Sequence, residues 1–280
     1  MTEGLTKRGY VVGRDVRVDE RVAEGKLDRL PALAAELVRL KVDVIVAGST
    51  DSIRAARDLT STIPIVMAFS GDDPVTSGFV TSLAHPGGNV TGVTAVARDL
   101  APKTIELLRD AVPGLTRIAV LTNPARLEHA EYVRIARAMR PPGVELQVLQ
   151  AEPGRTDQYD AAFAAMKAQQ AEGLVILGDV QFTRDSARLA ELALSHRLPS
   201  VYLYKPFAVA GGLMSYGPDL RELLYLVTGY VEQILNGAKP GELPVQQPTT
   251  FRLTINLRVA RALALTIPQS LRLRADELIQ

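Results

Sequence analysis

The sequence predicts an α/β protein of two lobes, each a parallel sheet doubly wound with helices. Three observations carry this. Short apolar runs rich in Val and Ile recur between segments of helical periodicity, as at residues 42–46 (VDVIV), 63–67 (IPIVM), 118–121 (IAVL) and 174–177 (LVIL). Such runs read as strands buried on both faces, and their alternation with helices reads as βαβ units. The strands end in small or polar residues, Gly48-Ser49-Thr50, Ser70-Gly71-Asp72-Asp73, Thr122-Asn123-Pro124 and Gly178-Asp179. In open parallel sheets those ends face the ligand crevice. Finally, the pattern occurs in two sets within 280 residues, a length suited to two domains.

Along the chain, residues 1–8 read as the last turns of a helix capped by Gly9, and 15–23 alternates as a strand (Val16, Val18, Val22). Residues 27–40 form an amphipathic helix with Leu30, Leu33, Leu37 and Leu40 on one face. Strand 42–46 leads through the capping residues Asp51 and Ser52 into a helix carrying Ile53, Ala56 and Leu59, and then into strand 63–67. A short helix is expected within 73–83, a turn at His85-Pro86-Gly87-Gly88-Asn89, and an edge or crossing strand at 90–95. Helices at 103–112, 128–139, 158–170 and 183–195 alternate with strands at 118–121, 144–149, 174–177 and 200–204, making the second lobe. Then come a short strand within 211–218, a long helix at 220–235, a proline-rich crossing at 240–248, a strand at 251–255, a helix at 257–265 and a weakly helical tail at 268–279. Elements beyond the second lobe imply that the chain crosses between lobes more than once. The division is 1–99 with 208–247, and 100–207 with 248–280. The usual opening strand of a doubly wound lobe is expected to be missing from lobe 1.

Composition narrows the function. The net charge is +1, from 32 basic and 31 acidic residues, which makes no electrostatic case for nucleic acid. There is no cysteine, and His85, His129 and His196 lie far apart, so no metal-ligand spacing emerges. No run approaches the roughly eighteen apolar residues of a membrane span. The Ala47-Gly48-Ser49-Thr50-Asp51 stretch lacks the second glycine of a nucleophile elbow. No Gly-x-Gly-x-x-Gly or Walker pattern follows a strand, so no cofactor is expected.

The candidate binding residues are Ser49, Thr50, Phe69, Asp73, Asn123, Asp179, Tyr204 and Tyr216. Each has an ordinary role too. Asp72 or Asp73, Asn123 and Asp179 are natural helix caps, and the aromatics are natural core residues. His85 reads as a solvated turn residue, and His129 and His196 read as surface groups. An α/β enzyme using Asp72, Asp73 and Asp179, or a bilobal ligand-sensing regulatory domain, stays open beside a binding protein.

Several segments resemble a known family: RLPALAAELVRLKVDVI (29–45), TIPIV (62–66), SLAHPGGNVTG (82–92), LLRDAVPGLTRIAVLTNP (107–124), GGLMSYGPD (211–219) and the tail 234–267 with ILNGAKPGELPVQQPT and INLRVARALALTIP. They resemble the substrate-binding proteins of ABC transporters with the type I periplasmic-binding fold, in the bacterial group that includes aromatic-amino-acid binders. The chain departs from that pattern by starting inside what would be the first helix, and by the extra acidic residue in the loop 69–74. The resemblance implies two Rossmann-like lobes joined by a hinge, a non-enzymatic receptor, and a small ligand passed to an ABC permease. It implies a periplasmic or membrane-anchored extracytoplasmic location and a monomer. A ligand carboxylate would sit at Ser49 and Thr50, an ammonium near Asp179, and an apolar or aromatic side chain between Phe69, Tyr204 and Tyr216.

Overall fold

A computed structural model describes residues 1–94 and 100–280 and, of Leu127, the backbone. The chain divides into two compact units, residues 1–96 with 220–249, and 97–219 with 250–280.

The first unit holds a three-stranded parallel sheet of order β1-β2-β3, with β1 Ile45–Ala47, β2 Ile65–Ser70 and β3 Val90–Thr94. Side chains of β2 alternate between two apolar layers. Ile65 and Met67 face Ala34, Leu37 and Ile53, which come from α2 (Leu30–Arg39) and α3 (Thr50–Arg57). Val66 and Ala68 face the stripe Leu223, Val227, Tyr230, Val231 and Ile234 of the long helix Leu220–Leu235, here α10. Each fully buried aliphatic side chain contributes roughly 1.5–3 kcal/mol, so the sheet is held from both sides. The first helix, α1 (Thr2–Lys7), docks on α10 through Arg8, which donates to Thr228 Oγ1 at 3.0 Å and pairs with Glu232 at 2.7 Å.

The second unit is a seven-stranded sheet of order β10-β9-β8-β7-β6-β4-β5. Its strands are β4 Arg117–Thr122, β5 Glu145–Gln150, β6 Gly173–Ile176, β7 Ser200–Tyr202, β8 Met214–Pro218, β9 Phe251–Asn256 and β10 Glu277–Ile279. All neighbours are parallel except β8 and β9. Alternation again makes two layers. Ile118, Val120 and Val175 pack with α4 (Ala101–Ala111) and α5 (Leu127–Met139), and Ala119, Leu121 and Ile176 pack with α6 (Thr156–Ala168) and α8 (Ser186–Ser195).

Several expectations are corrected. Residues 15–23 form no strand: the local pairing is the single bridge Val12↔Val16, Val18 and Val22 are exposed, and the arginines pair with a near neighbour, as Arg17 does with Asp19, or with α2, as Arg21 does with Glu36. Alternation makes a strand where a neighbouring strand supplies hydrogen bonds, and in this unit β1 has β2 as its strand neighbour. The helix expected within 73–83 is a single turn after Pro74. Gly78 ends it at φ +69, a conformation that costs glycine little. The helix expected at 183–195 is two helices, α7 (Val180–Arg184) and α8, meeting at Asp185, whose carboxylate accepts from Tyr159 Oη at 2.5 Å and the Gly154 amide at 2.8 Å. Tyr204 ends no strand but precedes a helix the sequence reading lacked, α9 (Lys205–Val209), with Pro206 in its first turn. Helix α11 spans Leu257–Ala262, and the tail contributes α12 (Gln269–Arg274) and the edge strand β10. Residues 208–219 belong to the second unit, because β8 is hydrogen-bonded between β7 and β9. Ala95, expected to end strand 90–95, and the proposed boundary at residue 99 lie outside the described residues.

Candidate binding site

Ser49 follows β1 and caps α3. Its Oγ accepts from the Ser52 amide at 3.2 Å, and the Ser49 amide donates to Ser52 Oγ at 2.9 Å, a reciprocal capping box. Ser49→Ala is therefore expected to cost about 1 kcal/mol of unfolding free energy, measured by urea titration. Thr50 is buried in the first turn of the same helix. Phe69 lies near the end of β2, partly buried against the layer that faces α10. Asp73 turns the chain after β2, with Oδ1 accepting from the Val75 and Thr76 amides at 2.9 and 3.2 Å. These four residues share the carboxyl-end side of the first unit's sheet.

In the second unit, chain order reverses at β4, which has β5 on one side and β6 on the other. A crevice forms at such a reversal, beyond the strand ends. Asn123 follows β4 and Asp179 follows β6. The structure joins them, with Asn123 Nδ2 donating to Asp179 Oδ2 at 2.8 Å. Asp179 caps α7 as well, accepting at Oδ1 from the Gln181 amide at 2.6 Å. Arg126 Nε donates to Asp179 Oδ2 at 3.1 Å, across side chains 9% and 0% exposed. Burial by itself would push the Asp179 carboxyl up. The Arg126 charge and the hydrogen bonds from Asn123 and the Gln181 amide outweigh it and hold the pKa below its ordinary value of 3.8.

The sign of the pH dependence follows. A carboxyl with a depressed folded pKa stabilises the fold above its unfolded value and loses that contribution as pH falls through the folded one. Stability is expected to decline in acid below pH 3.8 partly through Asp179, and Asp179→Asn is expected to remove that portion of the slope. Urea titrations at a series of pH values from neutral to acid measure it.

His129 is not the surface group its helical position suggested. It is buried, its Nδ1 accepts from the Asn123 amide at 2.9 Å, and its Nε2 lies 3.2 Å from the Gly178 carbonyl. With Nδ1 an acceptor, the proton sits on Nε2 and donates to that carbonyl. The ring thus ties the loop after β4 to the loop after β6. Arg126 and His129 were both missed by sequence reasoning. The three-residue spacing of Asn123, Arg126 and His129, which puts them on successive turns, was the available signal.

Tyr204 is buried behind α9. Desolvation, with the negative charges of Asp179 and Glu128, pushes its phenol well above the usual range, so it stays a proton donor. Tyr216 lies instead in β8 opposite Leu253, with its ring 6.1 Å from Phe251. His85 is an exposed turn residue, and His196 is half-buried with its ring 5.6 Å from Phe163. Among the described residues, no three His, Cys, Asp or Glu side chains are grouped to hold a metal, and no helix is long and apolar enough to cross a membrane.

Comparison with known proteins accords with this architecture. The chain is 25% identical over 261 residues to a tyrosine-binding protein of Clostridioides difficile (strain R20291), covering 93% of this chain and 74% of that one. A crystal structure of a conserved domain protein from Vibrio cholerae matches with a TM-score of 0.90 at 26% identity, over 99% of this chain and 92% of that one. An ABC domain in complex with L-Trp from Streptococcus pneumonia shares the fold with a TM-score of 0.89 at 24% identity, over 99% and 92%. A periplasmic binding protein/LacI transcriptional regulator from Alkaliphilus metalliredigens matches more distantly, with a TM-score of 0.58 at 12% identity, over 90% and 88%. The fold is the type I periplasmic-binding fold. The profile described as ABC transporter substrate binding protein spans residues 1–279, and the chain belongs to that family.

Proposed function

We propose that the chain is the extracytoplasmic receptor of an ABC importer, which holds a small carboxylate of the amino-acid kind and delivers it to a membrane permease without altering it. The observation that carries this reading is the buried cluster of Asn123, Arg126 and Asp179 at the reversal of strand order, in a chain whose relatives include a tyrosine-binding protein and an L-Trp-bound domain. A polar cluster fixed at such a point suits the orienting end of a small-molecule site.

In this reading the ligand lies in the cleft between the lobes, which close on it by a hinge motion. Its carboxylate meets Ser49, Thr50 and the N-terminal end of α3, where the helix dipole favours an anion. Phe69, Tyr204 and Tyr216 flank an apolar or aromatic side chain, Asn123 and Asp179 form the polar end, and Asp73 lies at the rim. The receptor acts as a monomer, carries no cofactor and does not engage nucleic acid.

The test is a thermal-shift screen of the purified chain against amino acids, their deaminated analogues, nucleosides and sugars. A ligand at about a hundred times its dissociation constant stabilises by roughly 2.7 kcal/mol, which moves the midpoint by several degrees. An aromatic carboxylate that gives this shift and is recovered intact by mass spectrometry supports the reading. Conversion to a product, or a shift from a sugar or nucleoside alone, sinks it.

A further inference from the structure

We propose that Gly48 is a ligand-contact position, where the missing side chain lets a ligand carboxylate lie against bare backbone and accept from the Thr50 hydroxyl. The inference rests on the receptor reading above and narrows it, by naming the groups of the first unit that carry the affinity and adding one to them.

Elsewhere in the chain a glycine has a visible cause. At Gly217 an added methyl group would lie 2.0 Å from the Leu203 carbonyl oxygen, at Gly178 it would lie 2.2 Å from the Leu203 side chain, and Gly78 has φ +69. Gly48 has neither kind of cause. It is exposed, its φ lies outside the left-handed region, and a methyl group there would meet no atom within 4 Å. A glycine in such a place costs stability through the freedom it gives the unfolded chain. What it offers in return is close approach to the backbone from the open side. Gly88 is equally unconstrained, but it lies in the turn before β3, at the amino end of that strand. Gly48 directly follows β1, at the carboxyl end, where parallel sheets bind ligands.

Thr50 supplies an independent observation two residues on. Thr50, Ile53 and Ala56 are the buried residues of α3, and their three-residue spacing puts them on one face. Ile53 and Ala56 cover the sheet, and Thr50 sits one turn earlier, at the helix start. Thr50 is 5% exposed, yet its hydroxyl has no hydrogen-bond partner among the described residues. Nor is that oxygen sealed in the interior, as the unpartnered Tyr202 Oη and Gln147 Oε1 are. A hydroxyl that is almost buried, unpaired and still reachable is a donor ready for a ligand oxygen. Ser49 is differently placed. Its Oγ accepts from the Ser52 amide at 3.2 Å and lies 3.1 Å from Ser52 Oγ, and its amide donates to Ser52 Oγ at 2.9 Å. Ser49 therefore holds the helix end, while Gly48 and Thr50 meet the ligand.

The experiment is isothermal titration of the whole chain with L-tyrosine and with L-tryptophan, the tighter of the two being carried through the variants. Thermal midpoints of the ligand-free proteins are measured alongside. Gly48→Ala is expected to weaken binding at least roughly tenfold, the scale of one charge-assisted hydrogen bond, with a midpoint at or above that of the wild type. Thr50→Val is expected to weaken binding on the same scale without lowering the midpoint, and Thr50→Ser, which keeps the hydroxyl, is expected to bind as the wild type does. Gly88→Ala, at the other end of the sheet, is expected to change neither quantity.

Unchanged binding by Gly48→Ala overturns the inference and leaves the receptor reading intact. A lowered midpoint in that variant overturns it as well, since the fold itself would then require the glycine. Full affinity in Thr50→Val removes the carboxylate seat, and a loss of affinity in Gly88→Ala equal to that in Gly48→Ala removes the special standing of Gly48. Binding of neither amino acid to the folded wild type removes the aromatic amino-acid reading itself, and the inference with it.

Discussion

Asp179→Ala is expected to destabilise the second unit by about 3–5 kcal/mol, the usual consequence of removing one partner from a buried ion pair. Several costs coincide at this position. Arg126 keeps its charge in a site where its side chain is 9% exposed. Asn123 loses the acceptor of its amide, 2.8 Å away. The first turn of α7 loses its capping oxygen at 2.6 Å from the Gln181 amide, a contribution typically near 1 kcal/mol. Because these groups share one carboxylate, their effects overlap and do not sum. Asp179→Asn preserves shape and capping acceptor and is expected to lose clearly less. Urea titration followed by circular dichroism measures both, and an alanine variant within about 0.5 kcal/mol of wild type contradicts the arrangement, since that is the range of ordinary surface changes.

Gly92→Ala is the largest effect expected in the first unit. Gly92 sits in β3 at φ +125, backbone that L side chains rarely adopt. A methyl group there would lie 2.4 Å from the Met67 carbonyl oxygen and 2.6 Å from the Met67 nitrogen in β2. The obstacle is backbone of a paired, fully buried strand, so no side chain can swing aside. Strain in a sparsely populated conformation and overpacking of a core each cost of order 1–3 kcal/mol, giving an expected loss of about 3 kcal/mol or more. Loss of soluble, protease-resistant protein is the first readout, and urea titration gives the magnitude where the variant folds. A variant as stable as wild type would show that β2 and β3 are not in the observed register.

The tie made by His129 explains why the site was half legible. Asn123 and Asp179 could be named from the sequence because each closes a buried strand, and the character of a strand end is written in adjacent residues. The partnership was not legible: Arg126 is 53 positions from Asp179, and nothing local distinguishes it from the solvated arginines of other helices. His129 looked like a surface residue because a short helix start has no visible periodicity, and its burial depends on the Gly178 carbonyl 49 positions away. In the first unit the reverse holds. Ser49, read as a ligand residue beside a cap formed by Asp51 and Ser52, is itself the cap, a role set within four residues.

The same division of local from distant runs through the fold. The βαβ order, the parallel strands, the two-sided burial of β2, β4 and β6, and the apolar stripe of α10 were determined by the sequence alone, since periods of 2 and 3.6 residues are properties of contiguous chain. Tertiary structure decided what a contiguous window cannot contain. It left 15–23 out of any sheet despite its alternation, because a strand exists through its neighbour. It assigned 214–218 to the second unit, through hydrogen bonds to strands that begin 14 residues before and 37 after it, at 200 and 251. And it matched the charge of Asp179 with Arg126, because which charges meet in a dry interior depends on which strand ends fold side by side.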